Sequence, residues 1–455
     1  MIGHLTVAAL ALVCLISIGS PAWSLAFIMT MYAFEQAAQA SNPLFVRFLP
    51  LVNFLVAASA GLAILRQLLA VPRLLQGYAN FVLWGVMAIY AYSAASLLLT
   101  PSLGLAVPLV MGQVPYLVLF VMMAPLLIDD AHSVTRFVRS FLFMGVAVVV
   151  LMLMNPAFTF YSGRLGFNLD ATVRTNPLAM GELGGNLMLA GALFRVGSRQ
   201  WFTQLLRGGA FFLGAMLALQ SGSRGQVVFA VLLALTFYPV SVRIQNVKGF
   251  LWSALGVVVL VPLMLYLGQL LLAGQELRRW DADVIAGGTD VRIANITELV
   301  WAWLKAPAAW LFGLGFNAFT SISAARSEPY SHAMTVDMLT EQGIPMFGLF
   351  VAVTVVGIRD GIWLFRRFAG DPDVRATLAV VFAMFAYQML LVNKQGYLWV
   401  GMSYFFFLIV ASRLRQRTEV FDAEDEAAEA DEGDTVHDGH DSDGGDADQG
   451  LAPVR

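Results

Sequence analysis

Five side chains in this sequence have types and positions that suit chemistry on a phosphorylated substrate: Arg164, Arg174, Arg224, Arg292 and His332. A guanidinium is always charged and forks onto two phosphate oxygens. An imidazole, with an ordinary pKa of about 6.5, takes a proton from a hydroxyl near neutral pH. Arginines upstream of a histidine that opens an apolar run are the arrangement expected of a site that holds a polyanion and moves a proton. Each residue also has a plainer reading. Arg224 could snorkel from a tight turn, Arg292 could meet lipid headgroups, His332 could be a satisfied structural side chain, and Arg164 and Arg174 could solvate a loop.

The elements that must position these residues are legible around them. Arg224 lies in the turn Gln220-Ser-Gly-Ser-Arg-Gly-Gln226, whose glycines and serines allow close backbone approach to a ligand. Arg292 lies on an amphipathic helix expected at residues 291–304, with Val291, Ile293, Leu299, Val300 and Trp303 as its apolar residues and Arg292, Asn295 and Glu298 as its polar ones. That helix is expected to lie on or near a membrane and to lead into a loop that returns at Ser331-His332. Arg164, Asn168, Arg174, Asn176 and Glu182 share one further connection, residues 155–182. Gly313 and Gly315 do not form a phosphate loop, because no strand precedes them and no Gly-Lys-Ser/Thr follows.

The solvent of most of this chain must be lipid. Of 455 residues 59% are hydrophobic and 13% charged, and the mean hydropathy is +0.73. Apolar runs of about 20 residues suit helices rather than short alternating strands, so an all-α polytopic membrane protein of about 12 transmembrane helices is expected. Residues 1–20 read as a retained membrane segment, since no basic stretch precedes the apolar run. The runs at 5–18 and 22–34, broken at Gly19-Ser20-Pro21, read as one crossing, which would leave both ends of the chain cytoplasmic. Lys and Arg fall in alternate connections, at Arg66 and Arg73, Arg136 and Arg139, Arg195 to Arg207, Arg243 and Lys248, Arg359 to Arg375 and Arg413 to Arg417. The positive-inside rule makes those cytoplasmic and puts 155–177, 220–224, a large loop at 273–332 and 393–396 on the outer face.

The net charge of −3 hides a division. Residues 1–417 hold 26 Lys and Arg against 16 acids, a net of +10, while 14 acids lie between Glu419 and Asp448. The chain therefore divides into a membrane core, 1–417, and an acidic cytoplasmic tail, 418–455, expected to be disordered on composition. The single cysteine, Cys14, permits no intramolecular disulfide, and no histidine lies near His332, so neither a metal nor another cofactor is expected. No nucleic-acid partner is expected either. Hydrophobicity alone would equally permit a transporter or flippase of polysaccharide precursors.

Three motifs in order resemble the bacterial O-antigen ligase and O-antigen polymerase superfamily across residues 155–350. They are Ser221-Gly-Ser-Arg-Gly225, an arginine leading a tryptophan-bearing helix into Leu311-Phe-Gly-Leu-Gly-Phe-Asn-Ala-Phe319, and Ser331-His332 followed by Glu341-Gln-Gly-Ile344 and Gly348. Ala333 departs from the pattern, as many members have asparagine after the histidine, and the acidic tail lies outside it. The resemblance implies a type C glycosyltransferase fold in the bacterial inner membrane, with a periplasmic loop over the site. It also implies metal-independent, inverting transfer of glycan from an undecaprenyl-pyrophosphate-linked donor to a hydroxyl on lipid A-core or on another glycan. In that family's terms Arg224 and Arg292 would hold the pyrophosphate and His332 would activate the acceptor, with Arg164 and Arg174 as secondary candidates.

Overall fold

The computed structural model describes residues 2–71, 73–161, 164–167, 176–195, 201–242, 248, 251, 255, 282–322 and 330–437. Their regular structure is helical apart from one two-stranded hairpin. Nine helices among the described residues are long and apolar enough to cross a membrane, which makes this a multi-pass membrane protein. The apolar runs within the described residues lie mainly on helix, the one at 44–65 being split by a turn at 48–50; the run at 250–272 falls almost wholly outside them. The side chains facing outward are themselves apolar, with Leu69 84% and Leu98 89% exposed. Lipid requires such a surface where water would penalise it.

The order is α1 (Ile2–Gly19), α2 (Pro21–Ser41), α3 (Pro43–Arg47), α4 (Leu51–Ala70), α5 (Phe81–Ala95), α6 (Leu103–Leu117) and α7 (Ala131–Leu153). The hairpin follows, with β1 (Phe158–Tyr161) antiparallel to β2 (Arg164–Phe167) and Tyr161 opposite Arg164. Then come α8 (Pro177–Leu193), α9 (Trp201–Gln220), α10 (Arg224–Ser241), α11 (Ala282–Leu304), α12 (Pro307–Phe312), α13 (Phe319–Ile322), α14 (Met334–Arg367), α15 (Pro372–Gln395) and α16 (Met402–His437). Proline in the first turn starts α2, α3, α8, α12 and α15, where its missing N–H leaves no bond unmade. Asn80, Asn176 and Asp371 cap α5, α8 and α15 by accepting from backbone N–H groups of the first turn. The expectation of an all-α chain gives way at the hairpin, where Phe-Thr-Phe-Tyr has the aromatic and β-branched character of a strand.

The first two helices correct the single-crossing expectation. Thr6 Oγ1 donates to Ser41 Oγ at 3.1 Å, so the start of α1 lies beside the end of α2 and the pair runs antiparallel. Asn155 Nδ2 donates to the same Ser41 Oγ at 2.9 Å, which puts residues 2–6 at the end of the bundle that carries the hairpin. The break at Ser20 (φ −144°, ψ 116°) reverses the chain instead of kinking one helix.

At the opposite end Arg66 Nη1 donates to Gly19 O at 2.9 Å. There α6, interrupted by Pro108 and Pro115, loosens into a π turn over Val118–Met123 and a 3-10 turn over Ala124–Leu127. The buried Arg413 donates to the carbonyls of Pro125 and Ile128 at the end of this segment and to that of Leu74 in the α4–α5 connection, joining the two. Helix α16 continues through Thr418 to His437, so the part of the acidic tail that is described is helical and departs from the expected disorder. Arg367 to Asp422 and Arg73 to Glu424 tie its first turns to the core, Arg415 pairs with Glu419 within the same helix, and its Glu- and Ala-rich composition favours helix.

Candidate functional site

The site lies at the hairpin end of the bundle, where the ends of β2, α8, α10, α14 and α15 meet. Arg224 is the first residue of α10 and is half-buried. The preceding turn is pinned from below. The fully buried Gln226 donates through Nε2 to Leu178 O at 2.7 Å, and Ser221 Oγ donates to Gln226 Oε1 at 3.3 Å. Lys394, next to last on α15, lies across this turn and donates from Nζ to Ser223 Oγ at 3.0 Å. A Cβ at Gly225 would stand 2.6 Å from Lys394 Cδ, so glycine there is what lets the lysine stem pass.

Lys394 is the residue that the sequence reading missed. It stands in the electrostatic field of Arg292, Arg224 and Arg164, so one rim gathers cations from four separate elements. Arg164 comes from β2 and is half-buried, which replaces the solvated-loop reading. Arg292 comes from α11, which is longer than expected and presents its faces differently. Val291, Ile293 and Trp301 are exposed, while the face bearing Arg292 carries Asn295 at 6% and Leu299 at 0% exposure. The arginine therefore turns toward the protein, while the apolar residues turn outward as a lipid-facing surface requires. Arg174 lies outside the described residues.

His332 precedes α14 in a left-handed conformation, φ +69°, and is half-buried. Three contacts fix its surroundings. Ser331 Oγ donates to the buried Asp337 and accepts from Ala333 N at 3.1 Å, forming a tight turn around the histidine. The Tyr330 ring meets the imidazole edge to face at 4.5 Å and packs on Tyr397 at 5.3 Å. Thr335 donates from N at 3.0 Å and from Oγ1 to Asn393 Oδ1, which joins the first turn of α14 to the residue before Lys394. His332 and Lys394 thus border one rim. Burial, with Tyr330 beside it, pushes the Tyr397 hydroxyl up to about 12, so it remains a neutral donor at physiological pH.

The glycine-rich run and the Glu-Gln-Gly motif turn out to be one structure. Helix α14 is interrupted at Gly343 (φ +81°, ψ 170°), and residues 313–319 lie against the interruption. Leu314 N donates to Thr340 O at 2.9 Å, Gly315 N to Glu341 O at 3.1 Å, and Asn317 N and Phe319 N to the Glu341 carboxylate at 2.9 and 3.2 Å. A Cβ at Gly313 would lie 2.0 Å from Glu341 O and one at Gly343 2.5 Å from Leu311 O, so backbone meets backbone here. Glu341 is an anchor for the loop that returns from α11. It is placed to hold that loop rather than to reach a ligand.

Below the rim lies a cavity of about 290 Å³, walled by α2, α6, α8 and α15 and roofed by Tyr330 and Tyr397. Glu182 on α8 accepts from Gln388 Nε2 at 2.8 Å on its wall. No protein-family model matches the chain, and no curated protein matches it in sequence.

Proposed function

We propose that the chain is a metal-independent, inverting glycosyltransferase of the O-antigen ligase and polymerase kind. It would move glycan from an undecaprenyl-pyrophosphate-linked donor onto a hydroxyl of lipid A-core or of another glycan. The observation that carries this reading is the convergence of Arg164, Arg224, Arg292 and Lys394 on one rim, bordered by His332. Two like charges about 10 Å apart repel by roughly 1.7 kcal/mol at an effective dielectric of about 20. A diphosphate held among the four cations relieves that repulsion, and relieves more of it as the sugar–phosphate bond lengthens and charge builds on the leaving oxygens. The acceptor oxygen attacks the anomeric carbon from the side opposite the pyrophosphate, the C–O bond to phosphate breaks, and the hydroxyl proton passes to the His332 imidazole. The diphosphate lipid leaves with the bonding electrons.

The motif resemblance supports the finer reading of the fold. Adding α2, α8 and the apolar half of α16 to the nine candidate spans, with the run at 250–272, gives thirteen crossings, one more than expected because α1 and α2 each cross. Arg66, Arg136, Arg359 and Arg413 through Arg417 gather at the end opposite the site, so the positive-inside rule favours a periplasmic site on a bacterial inner membrane.

One observation favours the transporter reading, namely the carboxyl groups that the apolar helices α2 and α8 carry, the half-buried Glu35 and, on the cavity wall, Glu182. Each lies six residues from the site end of its helix, Glu35 from Ser41 and Glu182 from Asn176. That is about 9 Å at 1.5 Å per residue, short of the midplane at about 15 Å where a transport site belongs. The test is product sizing after the purified protein is given undecaprenyl-pyrophosphate-linked repeat units with and without lipid A-core. A ladder from donor alone assigns polymerase, and a single addition that needs lipid A-core assigns ligase. Passage of the donor across a sealed vesicle with no new glycosidic bond would overturn both.

A further inference from the structure

We infer that a cleft at the end of the bundle opposite the cationic rim binds the headgroup of one anionic phospholipid, whose acyl chains lie on the outer faces of α1 and α4. The inference is independent of the transfer reading. The cleft encloses about 220 Å³ between the turn from α1 to α2, the last turn of α4 and the first turns of α7. Arg66 and Arg136 both line it, and both are exposed. Arg66 lies across the end of α1, donating from Nη1 to Gly19 O at 2.9 Å, and its fork carries further N–H groups. Arg136 has the carboxylates of Asp129 and Asp130 at 3.7 Å, beyond hydrogen-bond reach. Two guanidinium groups from different helices that open onto one cleft suit a phosphodiester. Asp129 is the one carboxylate among the described lining residues, so two guanidinium groups against one carboxylate leave the cleft at +1.

What lies deeper along the same helices selects a lipid over a free phosphate. On α1, Leu15 and Leu12 precede the lining residue Ile18 and are 69% and 57% exposed, and on α4 Leu62, one turn before Arg66, is 49% exposed. The outward face of α7 carries His132, Arg136 and Arg139 and then Phe143 and Val150, so it changes from basic to apolar between Arg139 and Phe143. That change marks the boundary between headgroups and hydrocarbon. Arg136 stands three residues beyond Arg139, about 4.5 Å at 1.5 Å per residue, which keeps it within the headgroup layer of about 5–8 Å. A basic cleft between membrane helices at this depth matches a lipid phosphate. It is smaller than the roughly 300 Å³ of a drug-sized pocket, so it takes a phosphate with a small polar group and leaves the chains outside. An ethanolamine headgroup would set a further cation beside the two arginines and leave the +1 uncompensated. A glycerol headgroup compensates it, and its hydroxyls donate to Asp129. A lipid bound there would brace the reversal between α1 and α2 against α4 and α7.

The test is lipid binding to the full-length protein, purified and stripped of lipid in a neutral detergent. Phosphatidylglycerol and phosphatidylethanolamine are titrated in separately, with inorganic phosphate as a competitor, and binding of the first lipid is followed by native mass spectrometry. Phosphatidylglycerol is expected to bind about tenfold more tightly than phosphatidylethanolamine, and millimolar phosphate is expected not to displace it. Arg136→Gln is the cleaner variant, because that side chain makes no hydrogen bond within the described residues. It is expected to fold as wild type and to weaken phosphatidylglycerol about tenfold, the equivalent of one charge-assisted contact at a partly exposed site. Arg66→Gln is expected to act in the same direction. Arg47→Gln, an exposed arginine on α3 at the hairpin end, is expected to change nothing. Equal affinity for the two lipids, displacement by phosphate, wild-type affinity in both Arg136→Gln and Arg66→Gln, or an equal loss in Arg47→Gln would each overturn the site.

Discussion

Arg224, Arg292 and His332 stood out in the sequence because ionisable side chains are few in an apolar chain, so each needs a reason. Lys394 had the same visibility and was passed over, since a lone lysine at the end of a span reads as an interfacial anchor. The signal was its location. It is the only cation in the outer-face stretch 393–396, which the positive-inside rule expects to lack one. Its weight can be measured. If the rim holds a diphosphate as proposed, Lys394→Ala would remove one charge-assisted contact to it, about 1.5–3 kcal/mol, and is expected to weaken donor binding roughly 10- to 100-fold, more at low salt than at high. Lys394→Arg is expected to restore only part, because the passage over Gly225 leaves no room for a planar guanidinium. Donor affinity unchanged in Lys394→Ala would remove it from the clamp.

At the scale of elements, the helices were legible because lipid permits little else, and their caps and prolines marked their starts. The meeting of Gly313 with Gly343 was not, because nothing local records a contact between residues thirty apart. Asn317, at φ +62°, and Gly343, at φ +81°, both use the left-handed region to bring the two segments together. Gly343→Ala would strain that conformation and drive a methyl into the Leu311 carbonyl, so a loss of roughly 2–4 kcal/mol is expected. Transfer should fall with it, as the loop that carries α11 and Arg292 loses its seat. Glu341→Ala should act in the same direction by orphaning the amides of Asn317 and Phe319, and faster proteolysis within residues 305–322 would report both.

At the scale of the whole molecule, function and fastening are divided between the two ends of the bundle. Positive charge at the site end would hold ligand, whereas at the other end Arg413 and Arg417 staple the connections at Leu74 and Asp129. The sequence showed both sets of arginines and, through the positive-inside rule, their separation. It did not show that Arg413 is 1% exposed, or that α1 and α2 form a hairpin, because both depend on the packed bundle. Arg413→Leu removes three guanidinium bonds, leaving the Ile128 carbonyl without that donor while Leu74 O keeps Arg417 and Pro125 O keeps Ile128 N, and is expected to lower stability by roughly 1–3 kcal/mol, read as a fall in melting temperature, where His332→Ala should change it little. The Arg367 guanidinium beside Asp422 holds that carboxyl below its usual range. A depressed folded value means that the tether contributes above the ordinary aspartate pKa of about 3.9 and is lost as pH falls through the lower folded one. The pair is largely exposed, so acidification should cost well under about 1 kcal/mol and show as faster hydrogen exchange after residue 418.

In the proposed transfer the cationic rim binds the donor and His332 moves the proton, so binding and chemistry separate in a single variant. Wild-type protein and His332→Ala are each given an undecaprenyl-pyrophosphate-linked glycan, and donor binding and new glycosidic bond formation are followed in the same samples. Loss of the base is expected to lower transfer by about 10²- to 10⁴-fold while donor affinity stays within about threefold of wild type. Transfer at the wild-type rate from His332→Ala, or no transfer from the wild-type protein with any lipid-linked donor, would contradict it.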